Sequence, residues 1–160
     1  MGLAGDFDRD VYYQHVLQMC QGDDLSQRML ALDELGKVYV DQVDGDFLLS
    51  LLRRASYYEE QRAILGIISQ MGSRAPVAAL LIMLADREAP RRHAVAGTLA
   101  ALGEQAPVDL FIRLLQDPTE DVGLREDVAG YLGTFGARVP RDVLVAAVAD
   151  PEACSVCCCD

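Results

Sequence analysis

Histidine and lysine are nearly missing from this sequence: His15, His93 and Lys37 are the only ones in 160 residues. Two distant histidines cannot form the HExxH pair of a zinc hydrolase, which needs both on one helix face. No GxGxxG turn or P-loop occurs, so no phosphate cradle is encoded. No Gly-x-Ser-x-Gly elbow occurs either. No apolar run reaches the roughly 18 residues that span a bilayer; the longest, Val77–Ala85, stops at Asp86. Alternating β patterns and Asn-Gly hairpin signals are also lacking. The acidic N-terminus has no signal-peptide core. These absences lead us to expect a cytoplasmic chain with no cofactor, no metal and no membrane partner.

Net charge is −11, with one Lys against thirteen Arg. The negative balance leaves no general footprint for nucleic acid, which selects clustered basic residues. The charge is uneven: two acidic ends flank a mildly basic centre over residues 47–106, which carries Arg53, Arg54, Arg62, Arg87, Arg91 and Arg92.

What the chain has in abundance is repetition. Three stretches share one plan: Arg62–Gly72 (RAILGIISQMG), His93–Gly103 (HAVAGTLAALG) and Glu126–Gly136 (EDVAGYLGTFG). Glycine holds the fifth and last places of each, and Ile68, Leu99 or Leu132 the seventh. After each last glycine come two residues, Ala or Val, and then Pro76, Pro107 or Pro140; Asp86, Asp117 and Asp150 stand at one fixed distance beyond. A period of about 31 to 33 residues means stacked supersecondary units.

The element grammar is helical. Val11, Tyr12, His15, Val16 and Met19 predict a first helix by their spacing, with Cys20 as a core filler. Asp24 should cap a helix over 25–40, with Met29, Leu32 and Leu35 on one face, and Asp46 a helix over 47–55. ALDELG at 31–36 resembles the later frames, with Gly36 in the place of Gly72. Gly72, Gly103 and Gly136 read as left-handed stops, and each following proline opens a helix. Hairpins are expected at about 8–41, 46–72, 76–103 and 107–136, with half a repeat at 140–150. They form a single domain, 1–153, followed by a Cys-rich tail, 154–160. Leu80, Met83 and Leu84 should share a core with Phe111, Leu114, Leu115, Leu144 and Val148. Gly66, Gly97 and Gly130, inside helices, suggest close helix approach, because each costs about 1 kcal/mol against alanine.

The residues Asp86…Arg92…Val95-Ala96…Leu99…Leu102-Gly103 and Asp117-Pro118…Val122…Arg125…Val128-Ala129…Leu132-Gly133 resemble HEAT repeats, of the phycobilisome-lyase-like subtype. The resemblance covers about 46–151 well. It implies an all-α, right-handed α-solenoid of about four and a half HEAT-like hairpins. It also implies a ladder between repeats, made by Asp86 with Arg92 and Asp117 with Arg125; Ala55 and Gln61 stand where the hairpin at 47–72 should have the pair.

The expected function is a non-catalytic protein–protein interaction scaffold or adaptor that offers its concave second-helix face to a partner, for which the basic centre suggests an acidic one. The candidate partner-binding residues are Arg53, Arg54, Arg62, Arg87, Arg91, His93 and Glu126. A bilin-lyase-like enzyme, or an accessory subunit of an enzyme complex, is the competing reading. An open C-terminal repeat with Val143, Leu144, Val145 and Val148 allows self-association. Cys154, Cys157, Cys158 and Cys159 form the one cluster of soft ligands, with no second knuckle to complete a tetrahedral site.

Overall fold

The computed structural model describes the backbone of residues 3–87 and 91–149, and the side chains of 8–87 and 91–146. Among the described residues there are nine α-helices and no strand. They are α1 (Leu3–Met19), α2 (Leu25–Val38), α3 (Gly45–Arg54), α4 (Tyr58–Gln70), α5 (Val77–Ala85), α6 (Arg92–Ala101), α7 (Val108–Gln116), α8 (Val122–Thr134) and α9 (Arg141–Ala149). The chain falls into two compact units, Met1–Pro76 and Val77–Asp160. The first holds α1–α4 and the second α5–α9.

In the first unit α1 packs on α2, α3 on α4, and α2 on α4. The inward residues of α1 are Tyr13, Val16 and Leu17, followed by Cys20; Val11, Tyr12 and His15 face outward. The periodicity had grouped the latter three with Val16. Tyr13 faces inward and its tilted ring meets that of the buried Tyr39, 5.0 Å between centroids, while the exposed Tyr12 lies farther off at 6.4 Å. Asp24 caps α2 as its position predicts, accepting from the Ser26 N–H at 2.7 Å and the Gln27 N–H at 3.2 Å. Asp46 is not a cap: α3 starts two residues before the expected Phe47, at Gly45 after Asp44. Gly36 is not a stop either. Its φ is not positive, α2 runs on past it, and a Cβ there would lie 3.3 Å from Ile67 Cγ1. Glycine at 36 therefore lets α2 and α4 lie close.

In the second unit α5 packs on α6, α7 on α8, α6 on α8, and α8 on α9. Leu80, Leu84 and Phe111 are fully buried, Leu115 nearly so, and Met83, Leu114 and Leu144 are half-buried. The Val148 side chain lies outside the described residues. Gly72, Gly103 and Gly136 have φ of 56°, 62° and 55°, the left-handed stops their positions predicted, which other residues adopt only at a cost. Each opens a single 3-10 turn that leads to the next proline.

The three mid-helix glycines do not act alike. At Gly97 a Cβ would meet the Tyr131 hydroxyl at 3.0 Å, a close approach of α6 to α8. At Gly66 and Gly130 it would meet nothing within 4 Å, so close packing does not explain them. Gly66→Ala and Gly130→Ala should each raise stability by up to about 1 kcal/mol, the helix-propensity difference. Gly97→Ala should gain nothing, because Tyr131 must shift. Urea midpoints of the three variants check this.

Candidate functional site

Most of the charge read as a partner surface is used inside the fold. Arg92 and Glu120 are each only 6% exposed. The Arg92 guanidinium donates to both carboxylate oxygens, at 2.6 and 2.7 Å, and its Nε to the Leu84 carbonyl at 2.8 Å. Arg92 opens α6 and Glu120 precedes α8, so the pair ties one hairpin to the next. The bond to Arg92 holds the Glu120 carboxyl below the usual range. Asp86, the expected ladder partner, acts on Arg92 as a nearby charge that favours the cation. Asp117 takes Arg87, at 2.5 Å, and the Thr119 hydroxyl and N–H. The Thr119 bonds come first among the causes that lower its pKa.

A second such pair sits in the first unit. Arg28 on α2 donates from Nε to Glu60 at 2.6 Å, with a longer second contact of 3.3 Å, and Glu60 is buried in the first turn of α4. A common register recurs at the start of the second helices. Arg92, Arg125 and Gln61 each open a second helix and donate to a carbonyl at the end of the preceding first helix: Leu84, Leu115 and Ala55. Terminal helix carbonyls have no intrahelical partner, so this side chain closes each hairpin. Arg92 has donors left for a carboxylate beyond and spends them on Glu120.

Two further arginines reach back to earlier turns. Arg74 donates to the carbonyls of Val40 and Val43. Arg138 donates to those of Gly103, Glu104 and Ala106 and lies over the Phe135 ring.

His93 sits between two carboxylates of the next hairpin, with Nδ1 2.8 Å from Asp127 and Nε2 3.2 Å from Asp121. Its place in α6 is thus fixed by α8. Glu126 is half-buried on α8, and Arg91 is half-buried before α6; both have partners inside the protein. Burial pushes the Cys20 thiol up to about 11, with Glu60 adding to the shift, so Cys20 is an inert core residue. Among the described residues no three His, Cys, Asp or Glu side chains are grouped to hold a metal ion. Cys154, Cys157, Cys158 and Cys159 lie outside the described residues.

What remains open is the corner where α3 turns into α4. Arg53 and Arg54 end α3, Tyr57 and Tyr58 begin α4, and Arg62 follows one turn on. Tyr57 is 55% and Tyr58 67% exposed, and all three arginines are exposed. Arg54 makes one long bond, 3.4 Å, to the Gln21 carbonyl. Arg53 and Arg62 have no ion pair among the described residues. The uneven charge pointed to Arg53 and Arg54 and the repeated frame to Arg62; both passed over the tyrosines, which fall in the turn just before that frame.

A family model described as HEAT repeats matches residues 45–123. Over that stretch the chain is similar to HEAT repeats, and its fold is all-α and HEAT-like. The match is to HEAT repeats in general and does not reach the phycobilisome-lyase-like subtype. No curated protein and no solved structure matches the chain. No helix of the described residues is long and apolar enough to cross a membrane.

Proposed function

We propose that this chain is a non-catalytic protein-interaction module, and that the α3–α4 corner of its first unit holds an acidic protein partner. The observation that carries the reading is the pair of exposed tyrosines, Tyr57 and Tyr58, set among Arg53, Arg54 and Arg62. Tyrosine and arginine are the residue types that dominate binding energy at interfaces. They offer stacking area and charged donors at a low ordering cost. Arg62, a member of the expected second-helix column, has no ion pair among the described residues. HEAT repeats commonly serve as interaction scaffolds, which agrees with this use.

Affinity capture from native cell extract under reducing conditions tests the proposal. The Arg53→Glu/Arg62→Glu variant should keep its helical circular dichroism and melting temperature, because neither side chain is paired. It should bind the captured partner at least about tenfold more weakly, a change of about 1.4 kcal/mol. Tyr58→Ser should weaken binding in the same direction. A partner recovered at wild-type yield by both variants would overturn the reading.

A further inference from the structure

We propose that a groove between α5 and α7 in the second unit docks a protein segment that presents an aliphatic side chain beside a carboxylate. This goes beyond the role given to the α3–α4 corner and does not depend on it. The groove follows from how the hairpins stack. The second helices α6 and α8 pack against each other, while α5 and α7 do not pack along their lengths. That leaves a cleft of about 610 Å³. Leu81, Ile82 and Ala85 form one wall, and Pro107 and Leu110 the other. Ile82 is 73% exposed, among the most exposed of the large apolar side chains described. An aliphatic wall open to water is stabilised by any apolar group that covers it.

Charge selects the occupant. Arg113 and Arg138 border the cleft, against one carboxylate, Asp109. Arg113 is exposed and has no ion pair among the described residues. Arg138 is held in place by three backbone carbonyls, which satisfy its hydrogen bonds without cancelling its charge. The N-terminus of α7 also points its partial positive charge here, and no side chain caps it. In a chain of net charge −11 this is a local positive edge on an apolar floor. An acidic, amphipathic segment satisfies both features; a basic one satisfies neither.

The test is a phage-displayed random peptide library, selected on the full chain and counter-selected on the Ile82→Ser/Arg113→Glu variant. Selected peptides should share Leu, Ile, Val or Phe next to Asp or Glu. A synthetic copy should bind the wild type, shift the amide signals of Ala85 and Leu110, and bind each single variant at least about tenfold more weakly. Arg53→Glu/Arg62→Glu should bind it as the wild type does, which separates this site from the corner. Both substituted side chains are exposed and unpaired, so the variants should fold. Four results would overturn the proposal: no selected peptide, peptides without an acid, affinity unchanged in both variants, or self-association that Ile82→Ser abolishes. The last would mean that a second copy fills the groove.

Discussion

Glu120→Ala should destabilise the protein by about 3–5 kcal/mol, the cost of breaking a buried ion pair by removing one partner. The loss exceeds that of an ordinary surface bridge, worth about 0–1 kcal/mol, because Arg92 would remain buried without its carboxylate. Arg92→Ala should cost at least as much. It also orphans the Leu84 carbonyl, which takes the Arg92 Nε at 2.8 Å. Exchanging both partners for apolar residues, Arg92→Met with Glu120→Leu, should cost much less than the sum of the single losses. Urea denaturation of the wild type, Arg92→Met, Glu120→Leu and the double variant gives the cycle, and additive losses would show that the pair is not coupled.

The same pair predicts a pH dependence. The Glu120 carboxyl titrates below its ordinary value in the folded protein because Arg92 donates to it. The unfolded chain, with a glutamate near the ordinary value of about 4.3, therefore binds the proton first on acidification. The stability from this group is complete above that value and is lost as pH falls through it toward the lower folded value. A Glu120→Gln variant should start less stable and should lose less than the wild type between pH about 5 and pH about 3.

Phe111→Ala should cost about 3–5 kcal/mol, as large-to-small changes of a buried aromatic do. Phe111 is fully buried. Its ring stacks on Phe135 at 6.2 Å and 8°, and meets Tyr131 at 6.1 Å. Those partners come from α8 and the turn after it, so the cavity would open in the middle of the α7–α8 hairpin. Val145→Ala, on an exposed site of α9, should stay within about 0.5 kcal/mol of the wild type. Equal losses in the two variants would mean that the core lies elsewhere.

The repeat made the hairpins legible. Gly72, Gly103 and Gly136 hold the backbone conformation their places implied, and Leu80, Leu84 and Phe111 are the buried residues they were expected to be. The register of the first helix was not legible. Val11 and Tyr12 are as apolar as Tyr13 and Leu17, so residue type does not choose between the two faces. Glu120 was hidden for another reason. It lies in the turn between Asp117 and Arg125, which is two residues longer than the one between Asp86 and Arg92, so it has no counterpart fixed by the repeat. Glu60 stands in the first turn of α4, where a carboxylate also complements the helix dipole, and nothing local shows that Arg28 reaches it. The α5–α7 groove could not be seen at all. It arises from the unequal packing of first and second helices, which the spacing of apolar residues does not encode.

Nuclear Overhauser contacts at two glycines give the most direct check that second helices of consecutive hairpins lie side by side. The structure predicts contacts from Gly36 Hα to the Ile67 side chain in the first unit, and from Gly97 Hα to the Tyr131 ring in the second. If neither contact appears in a folded, helical sample, the hairpins do not stack through α2 with α4 and α6 with α8.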